Sequence, residues 1–187
     1  MGKIYLTSDL HFGHDRGFIY EPRGYKSVDE MNKIQIEKFN SIVTDEDDVY
    51  ILGDLVLGDI DKGIECLKQL KGKIHVVRGN HDSDRRIQIY KNLGFDADFN
   101  QWAIMLKYKK CHFYCSHFPT ITPNLEQEAM TQTTLCLYGH THQQTDFYED
   151  RPFMFHCGVD SLLNFPINIK SVINRCKNEV EKCIKYL

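Results

Sequence analysis

The sequence predicts a mixed α/β fold spanning residues 1–187 as one domain, and three observations predict it. In the first half, short apolar runs alternate with helix-period segments, the pattern of βαβ units with parallel strands. In the second half, apolar runs follow one another across turns, as in hairpins and partly antiparallel strands. The chain has 187 residues, 42% of them hydrophobic, which suits one domain with one substantial core.

The elements follow in order. "KIYLTSD" is a strand that stops at Asp9. Ser27 and Glu30 make a capping box, and Met31, Ile34, Ile36, Phe39 and Ile42 give a one-sided apolar helix to about Val43. "DDVYILGD" is a second strand, Ile60 to Leu70 a second helix, "KIHVVRGNHD" a third strand and Arg85 to Leu93 a third helix. Two strands then flank a turn at Lys107 to Lys110. "TLCLYGHTHQQ", "FMFHCGVD" and "INIKSVI" read as further strands, and Arg175 to Leu187 as a short closing helix. The polar stretch from Ile121 to Thr134 lies between two motifs and is the expected rim of a site.

The formal charge of −3 leaves no global basic footprint, so attraction to nucleic acid would need a local patch. "KYKK" at 107–110 reads as a solvated hairpin tip before it reads as such a patch. No apolar stretch approaches membrane-spanning length, and the start lacks a secretory core, so a soluble cytoplasmic protein without a membrane partner is expected. The seven cysteines are odd in number and lack a CxxC pair, which suits reduced thiols better than disulfides or structural zinc. Oligomeric state leaves no trace in the sequence.

The apolar runs end alike: Asp9 with His11, Gly53-Asp54, Gly79-Asn80-His81-Asp82, Ser116-His117, and Gly139-His140-Thr141-His142. Sites in open α/β sheets form beyond the carboxyl ends of strands, so these residues should converge. Imidazole, carboxylate and amide oxygen without thiolate suit divalent metals such as manganese, iron or zinc. Asp9, His11, Asp54, Asn80, His117, His140 and His142 make seven ligands, too many for one tetrahedral ion and right for two that share a carboxylate.

In these blocks, "DLH", "GD", "GNHD", "SH" and "GHTH" in this order, the sequence resembles the calcineurin-like metallophosphoesterase superfamily. "DLHFGH", "EPRGYKSVDEMN", "ILGD" and "CGVD" further resemble its small stand-alone bacterial and phage branch. The resemblance implies a four-layer αββα sandwich of two mixed sheets flanked by helices. It implies that Asp9, His11 and His142 hold one metal, that Asn80, His117 and His140 hold the other, and that Asp54 bridges them. His81 would be the unliganded catalytic imidazole beside the phosphate. The implied cofactors are two divalent ions, manganese first, with iron, nickel or zinc satisfied by the same set.

The implied function is hydrolysis of a phosphoester by hydroxide held between the ions. A phosphodiester is favoured over a phosphomonoester of a small metabolite or nucleotide, with a nuclease acting on nucleic-acid ends as a further alternative. A non-catalytic scaffold would have lost ligands that this chain retains.

One position departs from the pattern. Where protein phosphatases of the superfamily carry an acid supporting the catalytic histidine, this chain has Leu57, so either Asp82 or Asp59 substitutes or no acid does. His14 and Arg23 are candidates to touch substrate, Arg23 as a bidentate fork. Arg78 is read as a structural or rim charge, and Asp160 after "CGV" as an acid steadying a ligand histidine. His75, His112 and His156 are read as packing residues.

Overall fold

The structure, a computed structural model, describes residues 2–121, 134–149 and 151–185. It is mixed α/β, with two mixed five-stranded sheets among the described residues. In the first, β1 (Ile4–Thr7), β2 (Asp48–Leu52), β3 (Lys73–Val77) and β4 (Asp96–Ala97) run parallel, and β10 (Ile167–Asn168) pairs antiparallel with β1. In the second, β5 (Ala103–Tyr108) is antiparallel to β6 (Cys111–Ser116). β6, β7 (Thr134–Tyr138) and β9 (Arg151–His156) are parallel, and β8 (Phe147–Tyr148) closes the edge.

Period-two alternation splits each strand between two cores. Val49 and Ile51 of β2 and Ile74 and Val76 of β3 face one cluster, which Phe39, Leu67, Ile87 and Tyr90 complete from α2 (Val28–Ile42), α3 (Ile60–Leu67) and α4 (Asp84–Asn92). Leu52 and Val77 face the other, between the sheets, where they meet Phe113, Leu135, Leu137 and Phe155. Such pairs of buried faces fix the register, because a one-residue slip would turn every apolar side chain the wrong way.

The helix starts follow their sequence signals. Ser27 Oγ accepts the Glu30 N–H at 3.2 Å, and Glu30 Oε2 accepts the Lys26 N–H at 2.7 Å, opening α2. Asp59 accepts the Lys62 N–H at 3.0 Å, opening α3. That helix ends at Leu67 rather than Leu70. Asn40 of α2 holds the exit instead, donating to Gln69 O at 2.7 Å and accepting from Lys71 N at 3.0 Å.

One assignment is corrected. "INIKSVI" contributes only the two residues of β10 to a strand, and then α5 (Ile169–Lys185) begins, well before Arg175. β-branched residues suggested a strand, but Ile169, Val172, Ile173 and Cys176 fall at i, i+3, i+4 and i+7 and all join the inter-sheet core. Burial along that stripe overrides propensity. The two-residue strands β4 and β8 and the short helix α1 (Gly17–Tyr20) carry too little periodicity to be seen in sequence. Of the expected rim stretch from Ile121 to Thr134, residues 122–133 lie outside the described residues, and Thr134 opens β7.

Six cysteines, 66, 111, 115, 136, 157 and 176, are buried free thiols, in line with the reduced reading. No described helix is long and apolar enough to cross a membrane.

Candidate metal centre

The carboxyl ends of β1, β2, β3, β6 and β7 meet, and backbone bonds tie their loops together. Asp9 N–H donates to Gly53 O at 3.1 Å, His11 N–H to Asp54 O at 3.0 Å, and Gly139 N–H to His117 O at 3.0 Å. Five of the seven predicted ligands have left-handed backbones: Asp9 (φ 58°), His11 (50°), Asp54 (56°), His140 (68°) and His142 (49°). Turning the chain so sharply aims successive ligands inward. Two glycines allow the loops to close. A Cβ on Gly79 would lie 2.3 Å from Asp54 Oδ1, and one on Gly139 would lie 1.9 Å from Ser8 Oγ and 2.5 Å from Asp9 Oδ2.

The seven side chains form two adjoining groups. Ligand atoms of Asp9, His11 and His142 lie within 4.8 Å of one another, as do those of Asp9, Asp54 and His117. Asn80 Oδ1 stands 2.8 Å from His117 Nε2 and 2.9 Å from His140 Nδ1. Asp54 Oδ2 lies between the groups, 3.4 Å from His117 Nε2 and 3.8 Å from His11 Nε2. The structure thus brings all seven together.

Outer partners orient the imidazoles. His117 Nδ1 is 2.8 Å from Leu52 O, which turns Nε2 inward. His142 Nδ1 is 2.9 Å from Asp160 Oδ2. Arg23, its side chain fully buried, donates to Asp160 Oδ1 at 2.9 Å and Oδ2 at 3.1 Å, and to Asp9 O at 2.9 Å. The arginine fork therefore clamps the ligand loops and does not open toward solvent. Asp82 Oδ2 accepts the N–H groups of Asp54 at 2.8 Å and Gly79 at 2.9 Å, while Oδ1 accepts Tyr90 O–H at 2.9 Å.

The electrostatics are those of a cation site. Burial alone would raise Asp54, but His117 and the His81 N–H win and hold its carboxyl down at about 2. Burial opposes charge on His117 too, yet Asp54 and Asp9 lift it to about 9. Burial raises Asp9 and drives His11 well below its usual value. Asp160 is held low against its own burial by His142 and Arg23. Buried His11 Nε2 has no hydrogen-bond partner. An orphaned lone-pair nitrogen facing a carboxylate, in a set of N and O donors without thiolate, fits a borderline divalent ion.

His81 sits at the mouth with its side chain 44% exposed, its N–H donating to Asp54 Oδ1 at 3.0 Å and its Nε2 4.0 Å from Asp54 Oδ2. Arg86 holds its carbonyl oxygen. Neither Asp82 nor Asp59 reaches this imidazole, since each is engaged by backbone N–H groups; the nearest described carboxylate is Asp54. His14 Nδ1 lies 3.2 Å from His11 Nδ1. A cleft of about 490 Å³ opens beside them, bounded by His14, His81 and His142 and walled by Phe18, Ile19, Pro22 and Leu57. Phe18 is exposed against the His14 ring, and Phe118 against His140 at 4.8 Å.

Phe18, Tyr90 and Arg86 escaped the sequence reading; Phe118, following "SH" directly, was the one with a positional signal. Arg78 pairs with Asp84 at 2.7 Å and covers the Trp102 ring, a structural role. His75 lies outside the centre, 2.9 Å from both Asp48 and Asp96; half-buried His112 and fully buried His156 lie in β6 and β9.

Residues 3–173 match the family described as the calcineurin-like phosphoesterase superfamily domain. The chain is 48% identical over 156 residues to the uncharacterized protein MJ1445 of Methanocaldococcus jannaschii, covering 82% of this chain and 76% of that one. It is 27% identical to the Gene 66 protein of Mycobacterium phage D29, over 86% of this chain and 89% of that one. A solved structure, the protein of unknown function AQ665 from Aquifex aeolicus, shares the fold with a TM-score of 0.71 at 22% identity, over 93% of this chain and 99% of the other.

Proposed function

Because this chain belongs to the calcineurin-like phosphoesterase superfamily, and is a metal-dependent phosphoesterase on that ground, we propose that it hydrolyses phosphodiesters with two divalent ions. Asp9, His11 and His142 would hold one ion, Asn80, His117 and His140 the other, and Asp54 would reach both. Manganese is the first choice, with iron, nickel or zinc served by the same donors. Bound there, the ions neutralise charge on phosphoryl oxygens and lower the pKa of a water toward ~7.

The chain's own residues do the rest. His81, unligated and open to the cleft, donates to a phosphoryl oxygen or protonates the departing alcohol. Asp160 and Arg23 keep His142 turned inward, and Asp82 keeps the Asp54 and Gly79 loops together. His14 would touch substrate from the same wall as Phe18, a reading supported by their contact in the cleft lining.

The observation that carries the diester reading is the cleft wall. Among the described residues it has no lysine or arginine to meet the second charge of a monoester, and its apolar side chains suit an ester substituent. The six buried free thiols support a reducing, cytoplasmic setting. The test compares bis-p-nitrophenyl phosphate with p-nitrophenyl phosphate on apo protein reloaded with manganese, with Asp54→Asn as control. Diester turnover well above monoester turnover is expected; the reverse order would make the protein a phosphatase.

A further inference from the structure

We propose that the protein carries a second binding site, at the pole opposite the metal centre, which holds the phosphate backbone of single-stranded nucleic acid.

The parallel strands give the molecule two poles. Their carboxyl ends deliver the metal ligands, and their amino ends carry lysines. Lys3 precedes β1, Lys73 opens β3, Lys107 lies in the last residues of β5, and Lys109 and Lys110 form the β5–β6 turn, which the antiparallel pairing places at the start of β6. β10 brings Lys170 to the same end, since Asn168 pairs with Tyr5. Lys177 follows two turns along α5.

These lysines line two contiguous clefts. One, about 530 Å³, lies between the hairpin turn and α5. Lys109 and Lys110 stand on one side, Lys170 and Lys177 on the other, and Tyr108, Cys111 and Ile173 form the floor. The second, about 640 Å³, shares Tyr108, Lys109 and Lys170 and continues past Lys3, Lys107 and Lys73. Two acids, Glu46 and Asp48, line it, and Asp48 is turned to His75 at 2.9 Å. Further along α5, Glu179 pairs with Lys182. None of the seven lysines is in an ion pair with a described residue, and all seven are exposed.

Seven of the 23 basic residues of a chain with net charge −3 are thus gathered on one track, against Glu46 and Asp48 in the lining and Asp47 within electrostatic reach of Lys3. A cationic groove with an aromatic side chain in its floor is the arrangement that follows a flexible phosphate backbone. A lipid surface fits less well, because the exposed large apolar residues among those described, Phe18, Trp102, Met105, Phe118, Ile121 and Leu163, line neither cleft.

The test is fluorescence anisotropy of labelled oligothymidylate with the metal-loaded protein across a salt series. Binding should fall with salt at a log–log slope near −3, roughly 0.7 per lysine for four contacts. Lys109→Glu with Lys110→Glu and Lys177→Glu should weaken it at least tenfold. The control Lys33→Glu with Lys68→Glu and Lys91→Glu, of equal charge change, should bind nearly as wild type, and both variants should keep wild-type diester turnover and melting temperature. Absent binding at about 50 mM salt, equal loss in both variants, or binding to phosphatidylserine vesicles without the oligonucleotide would overturn the proposal. A chain that binds the oligonucleotide yet hydrolyses neither nitrophenyl ester would sink the esterase reading and leave this site standing.

Discussion

Asp160 lies 18 residues beyond His142 in the chain, yet its Oδ2 is 2.9 Å from the ligand's Nδ1. The contact leaves the Nε2 of His142 to face Asp9 and would fix which imidazole nitrogen meets an ion, and Arg23 fixes the carboxylate in turn. Asp160→Asn should lower manganese affinity at the Asp9–His11–His142 group by about 10- to 100-fold and spare the other group. Calorimetric titration checks this; two sites of unchanged affinity would rule it out.

Asp54→Asn should lose both metals, because Oδ2 stands within 3.8 Å of ligand nitrogens from each group. Metal content after dialysis gives the answer. Retention of one ion per chain would move the shared role to Asp9, whose carboxylate also reaches both groups.

His81→Ala should keep two metals and lose about 10²- to 10⁴-fold in turnover. The loss should deepen as the leaving alcohol becomes more basic. A series of aryl esters measures the slope, and an identical loss across the series would reject proton donation.

The metal-free protein should lose stability as pH rises. His117 titrates at about 9 when folded against an ordinary 6.5, so it binds its proton more tightly in the native state. Its contribution is complete below pH 6.5 and gone above pH 9. Thermal melts in chelator should fall across that window, and His117→Gln should flatten the fall. Metal-loaded protein should not show it, since the ion takes the proton's place and binds better as pH rises.

Gly139→Ala should cost metal binding as well as stability, because the new methyl would meet Ser8 Oγ and Asp9 Oδ2. A loss of about 1 to 3 kcal/mol is expected from such overpacking. Chemical denaturation with a metal titration checks both, and an unchanged affinity would show that the loop shifts freely.

The convergence of the candidate ligands was legible because each follows an apolar run, and strand polarity alone says that such residues converge. The fold was legible where a period was sustained, as in Val28–Ile42. It failed where two periods competed, as at Ile167–Ile173, where β-branched residues occupy a helical stripe. Contacts such as Tyr90 to Asp82 leave no mark, because a hydroxyl eight residues away is placed by helix packing and not by spacing. The lysine track was half visible as "KYKK"; its other members come from β1, β3 and α5, which only the fold assembles.

The left-handed backbone at Asp9, His11, Asp54, His140 and His142 also bears on how the centre should be dissected. Aspartate and histidine tolerate that conformation better than most residues with a β-carbon, so one choice of side chain serves both the ion and the turn. Alanine at these positions would remove a donor and, lacking a polar side chain to support the turn, keep a backbone that costs about 1 to 2 kcal/mol relative to glycine. The two losses would be indistinguishable in an activity assay. Glycine removes the donor and leaves the turn relaxed, so at these five positions it is the cleaner deletion.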